Sequence, residues 1–284
     1  MVKRFELEDQ DWKVICELLP ARKRTGRPGR DERQLLDGMF WVLRSGARWR
    51  DMPERYGPWQ TVYHRFNQWR RDGTLRRIAA RLRNRMHGEG RIDRELWLVD
   101  GTSIRASRAA AGAGKKRGPE EPLDHALGRS RGGFGTKVHL LTDSRGVPLA
   151  AVLSPGQRHE SQCFEMLMDQ ICLQGRRGRP LIRPKRLAGD KGYSYPAIRR
   201  WLIGRGIEPV IPYRSDQMAQ HRGAPLRFDR AAYRKRNAVE RCVGWLKECR
   251  RFAMRYEKLA ENFLAMIDLA FIQRYLALGF SDTA

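Results

Sequence analysis

Two short apolar runs in this chain each end in an aspartate: Leu96-Trp97-Leu98-Val99-Asp100, and Leu187-Ala188-Gly189-Asp190. Runs of this length predict buried strands that leave the sheet at a carboxylate. After the second run, residues 196–203 carry Ile198, Trp201 and Leu202 at helical spacing, and residues 208–212 read as another strand. Strand, helix and strand at that spacing predict a parallel βαβ unit. Residues 136–142 and 148–153 read as a hairpin about Asp143-Ser144-Arg145-Gly146, so Asp143 is a turn residue and not a catalyst. His139 and His159 have no nucleophile or ligand at a telling spacing and read as structural. The result is an α/β domain with a mixed five-stranded sheet flanked by helices. One helix is expected over 160–172, with Phe164, Leu167, Met168 and Ile171 inward, and another over 262–278 that packs on the core.

Residues 1–90 have helical periodicity throughout. A helix over 9–19 presents Trp12, Ile15, Cys16 and Leu19, and a basic turn over 21–29 leads to Asp31, a good N-cap. The next helix has Leu35, Leu36, Met39, Phe40 and Leu43 on one face and ends near Ser45-Gly46. A third runs from Trp59 to Arg71 and closes at Gly73. Val62, Phe66 and Trp69 face inward, and Gln60, Thr61, His64, Arg65, Gln68 and Arg71 face out. Helix, turn and helix with such a polar row suits a helix-turn-helix reader of a major groove, with 59–71 as its recognition helix. A plain helical bundle has the same pattern, and the overall charge favours DNA binding. Domain division is therefore expected as 1–90, helical and DNA-binding, and 91–284, catalytic.

Charge supports that choice. The 284 residues hold 57 Lys+Arg against 32 Asp+Glu, a net +25, and the excess is spread along the whole chain. A polyanionic partner follows, with nucleic acid leading. No run of eighteen apolar residues exists, which excludes a membrane span. The charged start Met-Val-Lys-Arg-Phe-Glu lacks an apolar signal region, so a cytoplasmic, nucleoid-associated protein is expected. Five cysteines without a Cys-x-x-Cys pair read as small buried residues of a reducing compartment and not as zinc ligands. Residues 105–135 read as a long, mobile basic loop that touches DNA. Gly114-Lys115 is not a phosphate loop, because Ala109 and Lys116 stand where Gly and Ser/Thr are required.

The stretch from Tyr233 to Lys247 reads as one helix with two faces. Val239, Cys242, Leu246 and Cys249 form a core stripe, while Tyr233, Arg236, Glu240, Gly244 and Lys247 share the opposite side. Gly244 suggests that something approaches the helix closely there. On spacing alone the pattern favours an ordinary surface helix. Asp100 and Asp190 change that, because three carboxylates gathered in a strongly basic protein suggest Mg²⁺ with substrate phosphate oxygens. Lys191, Arg236 and Lys247 would then hold the DNA backbone.

The spacing Y-x2-R-x3-E-x6-K over Tyr233, Arg236, Glu240 and Lys247, beside Val99-Asp100-Gly101-Thr102 and Gly189-Asp190-Lys191-Gly192-Tyr193, resembles the bacterial insertion-sequence DDE transposases. The N-terminal Trp41-Val42-Leu43-Arg44-Ser45-Gly46 and Trp49-Arg50-Asp51-Met52-Pro53 are similar to the helical region of the IS-five group. The resemblance implies a ribonuclease-H-like catalytic domain in which Asp100, Asp190 and Glu240 hold two Mg²⁺ ions, with Mn²⁺ as a substitute. It implies hydrolysis at the element's terminal inverted repeats and attack of the freed 3′-hydroxyl on target DNA. Tyr233, Arg236 and Lys247 would position the strands, and a homodimer or larger synaptic complex is expected. Two alternatives stay open: a catalytically silent sequence-specific DNA-binding protein, and a nuclease of the same fold without strand transfer.

Overall fold

The computed structural model describes residues 5–20, 30–113, 125–130, 132–174, 178–220 and 228–279. In chain order the helices are α1 (Asp9–Cys16), α2 (Glu32–Ser45), α3 (Trp59–Arg71), α4 (Thr74–Gly88), α5 (Arg108–Ala111), α6 (Phe164–Met168), α7 (Pro196–Gly204), α8 (Ser215–Gln220), α9 (Arg230–Arg234), α10 (Asn237–Glu248), α11 (Arg250–Ala253) and α12 (Ala260–Gly279). The strands are β1 (Leu96–Ala106), β2 (Gly128–Ser130), β3 (Gly133–Asp143), β4 (Pro148–Pro155), β5 (Arg186–Ala188), β6 (Glu208–Val210) and β7 (Met254–Arg255). They fold as two compact units. One comprises residues 1–86, 105–125 and 246–284, and the other residues 87–104 and 126–245. The units do not follow a cut at residue 90, since α11 and α12 pack with the N-terminal helices.

The second unit is built on the sheet. Strand β1 lies between β3 and β5, β6 continues beyond β5, and β4 pairs with β3. β3 and β4 form the antiparallel hairpin, while β1, β5 and β6 are mutually parallel. This order, β4-β3-β1-β5-β6, is the ribonuclease-H-like arrangement expected from the resemblance. All five expected strands are present, and β2 and β7 are short additions to them. Asp143 behaves as the turn residue it was read to be. It is fully buried, and its carboxylate accepts the amides of Arg145, Val147 and Asp93 at 3.0, 2.8 and 2.8 Å. His139 is buried against the Ser154 hydroxyl at 2.8 Å, and burial lowers its pKa to about 4, so it stays neutral and structural.

In the first unit, α2 packs on α3, α11 and α12. Asp31 caps α2 by accepting the Arg33 amide, and Gly46 closes it in the left-handed region at φ 70°. Leu35, Leu36, Met39, Phe40 and Leu43 are buried, as are Val62, Phe66 and Trp69 of α3. Helix α12 buries residues on most sides, from Phe263 to Leu276, which suits a helix packed into a core.

Several expectations are corrected. Helix α1 stops at Cys16, and Cys16 and Cys172 are exposed, while Cys163, Cys242 and Cys249 are buried. Residues 160–172 form a 3-10 turn and a five-residue helix instead of one long helix, because the His159 side chain accepts the Ser161 amide and fixes a tight turn. The presumed loop over 105–135 contains the end of β1, α5, β2 and the start of β3. Lys115 and Lys116, and the basic turn over 21–29, lie outside the described residues.

Two outcomes test this packing. A Cβ on Gly46 would stand 2.8 Å from the Arg250 Cβ at a left-handed φ, so Gly46→Ala is expected to destabilise by about 1–2 kcal/mol in urea titrations. Asp37 is buried and accepts the Leu7 amide at 2.8 Å, and burial pushes its carboxyl up to about 6 against that hydrogen bond. Between about pH 4 and 6 it is protonated when folded and ionised when unfolded, so stability falls as pH rises through that window. Asp37→Asn is expected to exceed wild type by about 1–3 kcal/mol at pH 8 and to match it near pH 4.

Candidate active site

Leu98 of β1 and Ala188 of β5 are register partners in parallel strands, and an aspartate follows each by two residues. Side chains alternate along strands, so Asp100 and Asp190 come to one face at one level of the sheet. Asp190 stands at a strand exit as expected, where it caps a 3-10 turn by accepting the Gly192 amide at 2.8 Å. Asp100 does not stand at an exit. β1 continues through Ala106, so this carboxylate sits mid-strand and mostly buried. Burial raises its pKa, the Arg236 guanidinium opposes that rise, and Asp190 adds to it.

The cation that balances Asp100 reaches it through a break in the chain. Tyr233 and Arg236 do not share a helix with Glu240, contrary to expectation. The chain leaves α9 at Arg234, turns at Lys235-Arg236 and re-enters a helix at Asn237. At residues 235, 236, 238 and 239 the amides bond to carbonyls three residues back, a single tighter turn between the two helices. From that turn Arg236 donates to Asp100 Oδ1 at 3.0 Å and lies 3.4 Å from Glu240 Oε1. One guanidinium thus bridges the first and third acids. Val239, Cys242, Leu246 and Cys249 are buried, as the core stripe predicts, and Glu240 is exposed in the first turn of α10. Among the described residues none approaches Gly244, where an added Cβ would meet open space.

A fourth carboxylate was missed from sequence. Glu160 is mostly buried and pairs with Lys137 of β3 at 3.3 Å. Burial raises its pKa, Lys137 opposes that, and Asp190 and Asp100 both add to it. Its signal lay in two glycines beside the aspartates, Gly101 and Gly192, each of which leaves room where a side chain would strike the Glu160 carboxylate. Among the described residues no three His, Cys, Asp or Glu side chains stand close enough to hold one metal ion. The donor chemistry nevertheless suits a hard divalent cation. All the donors are carboxylate oxygens, and a guanidinium stands in as the cation between two of them.

The expected DNA contacts divide. Gln68, Lys191 and Lys247 are exposed, and so are Gln60, His64 and Arg71. Tyr233 is half-buried against Phe228, with ring centroids 5.2 Å apart. Arg65 is taken up internally, 3.1 Å from the buried Glu32 and with its guanidinium 5.7 Å from the Trp69 ring centroid. Helices α2 and α3 are joined by thirteen residues with two 3-10 turns, longer than the turn of a compact helix-turn-helix. The tight pair is α3 and α4, joined through Asp72-Gly73.

Residues 91–272 match the family model described as "Transposase DDE domain", and residues 7–79 match the one described as "Putative transposase of IS4/5 family". The chain belongs to the DDE transposases of the IS4/5 family and is an enzyme of DNA transposition. It is 36% identical over 200 residues to the "Putative transposase for insertion sequence element IS402" of Burkholderia cepacia, covering 69% of this chain and 82% of that one. It is 35% identical over 117 residues to the uncharacterized protein y4sN of Sinorhizobium fredii (strain NBRC 101917 / NGR234), covering 41% of this chain and 89% of that one. The piggyBac transposase synaptic complex with hairpin DNA superposes with a TM-score of 0.43 and 9% identity, covering 96% of this chain and 74% of that one, too slight a likeness to argue from.

Removal of Arg236 tests the electrostatics. Arg236→Met leaves Asp100 buried without its cation and is expected to destabilise by about 1–3 kcal/mol at pH 8. Protonation of Asp100 relieves that loss, so it shrinks toward pH 4, and Asp100→Asn combined with Arg236→Met recovers most of it in a double-mutant cycle read by urea denaturation.

Proposed function

We propose that Asp100, Asp190 and Glu240 form the divalent-cation centre of this transposase, with Mg²⁺ as the working ion and Mn²⁺ as a substitute. The observation that carries the proposal is the Arg236 bridge, a cation already seated between Asp100 and Glu240 while Asp190 lies level with Asp100 in the parallel register. When bound, such ions supply an activated water or 3′-hydroxyl and stabilise the leaving oxygen of an in-line phosphoryl displacement. The chain's own residues do the rest. Burial of Asp100 fixes one carboxylate, the Gly192 amide orients Asp190, and the docked apolar stripe of α10 sets where Glu240 stands.

Double-stranded DNA is the substrate, as terminal inverted repeats and as target. Arg236 would leave the acids for a backbone phosphate, with Tyr233, Lys191 and Lys247 beside it on the strands. The exposed row of α3, Gln60, His64, Gln68 and Arg71, is proposed to read the element end, and Arg65 serves that helix through Glu32 instead of touching DNA. A 1–90 DNA-binding region ahead of a 91–284 catalytic region remains the functional division proposed. Cleavage and joining need two element ends together, so a homodimer or larger synaptic assembly is proposed.

The test uses the purified chain with Mg²⁺, labelled inverted-repeat DNA and a target plasmid. Wild type is expected to cleave and join, and Glu240→Gln to bind the end with both reactions reduced to background. Cleavage without joining in wild type would make the protein a nuclease of this fold. Binding with neither would make it a silent DNA-binding protein.

A further inference from the structure

The Glu160 carboxylate is held in a place made for it. An ideal Cβ on Gly101 would stand 2.7 Å from Glu160 Oε1. One on Gly192 would stand 2.7 Å from Glu160 Oε2 and 2.8 Å from Asp190 Oδ1. Glu160 and Asp190 therefore crowd the same point beside the Gly192 backbone, two like charges close together. Successive strand residues face opposite ways, so the Gly101 gap lies on the side of β1 away from Asp100. Glu160 thus reaches β1 from the face opposite Asp100 and meets Asp190 just beyond the end of β5. Lys137 Nζ, at 3.3 Å from Oε1, is the cation on this side.

A second, independent feature points at the same spot. Tyr193 is fully buried, and its hydroxyl has no hydrogen-bond partner among the described residues. Burial holds its pKa well above the ordinary value, and the nearby carboxylates of Glu160, Asp100 and Asp190 add to that, against the Arg236 guanidinium. A buried phenol without a partner is costly, and one near carboxylates has a reason to exist when something bound among them takes its hydrogen bond.

We infer that Glu160 is a fourth carboxylate of the metal centre, sharing a divalent cation with Asp190, with the Tyr193 hydroxyl turned to that ion's water shell. This inference rests on the proposed cation centre and extends it. In the absence of the ion, Lys137 holds the Glu160 carboxylate. Oxygen ligands from two carboxylates plus water are what Mg²⁺ or Mn²⁺ takes.

The test reads metal binding directly, by electron paramagnetic resonance titration of the full chain with Mn²⁺ alone. Glu160→Gln keeps the shape and is expected to weaken Mn²⁺ binding about ten- to a hundredfold, with Asp190→Asn at least as severe. Lys137→Met, which removes the competing cation, is expected to leave affinity equal or higher. Circular dichroism melting without metal shows whether each variant is folded, and Tyr193→Phe supplies a milder loss should Glu160→Gln not fold. Affinity of folded Glu160→Gln within twofold of wild type, while Asp190→Asn loses it, overturns the role of Glu160 alone. Equal weakening in Glu160→Gln and Lys137→Met overturns it too, since the pair would then be structural. Wild-type affinity in both Asp190→Asn and Asp100→Asn would instead overturn the cation centre itself.

Discussion

The pairing of β1 with β5 is the constraint from which the site follows. Leu98 against Ala188 in a parallel ladder fixes where Asp100 and Asp190 stand before either side chain makes a contact. The ladder carries an electrostatic cost, because it sets Asp190 beside Asp100, whose charged form burial already disfavours, and Glu160 is buried nearby with the same penalty. The chain answers with one cation on each side, Arg236 from the α9–α10 turn and Lys137 from the neighbouring strand β3. Each is itself mostly buried, so neither pair is the weak, solvent-screened kind found on open surfaces.

Family and fold divide the chain along different lines. The match to the IS4/5 description, residues 7–79, falls within one compact unit, whereas the DDE match, residues 91–272, draws residues from both. The reason is the C-terminal apolar content. Helix α12 has too many buried faces to lie on a sheet as an outer layer, and it joins α2 and α3 in a helical core. A chain with so large a positive charge can still build that core, because its cations stay at the surface or find partners such as Glu261 for Arg70 and Glu257 for Arg251.

Much of this was legible in the sequence where local pattern and final packing agree. The boundaries of α3 and the Gly46 stop of α2 follow from caps and breakers, and the buried stripe of α10 follows from period alone. What escaped reading depends on distant partners. Asp100 looked like a strand end because the apolar run stops there, but β1 continues beyond it along β3 and β7, pairings that residues 101–106 do not announce. The break at Lys235-Arg236 carries neither Gly nor Pro, so nothing local marks it. Arg65 looked free for DNA until Glu32, thirty-three residues earlier, took it. Glu160 was the least visible, since its place is defined by two side chains that Gly101 and Gly192 do not have.

The parallel ladder also sets the order of events as the chain is made. Parallel strands cannot be joined by a tight turn, and here the two aspartates are 90 residues apart in sequence, with the hairpin and its long connections between them. Contacts of such long range form late, after the local helices and the hairpin have closed their shorter loops. A nascent chain that has reached only β4 carries Asp100 without the strand that will level Asp190 beside it. One that stops short of α9 lacks the guanidinium that neutralises Asp100. The acids assemble only when nearly the whole protein has been synthesised, so a truncated chain holds them scattered and not gathered.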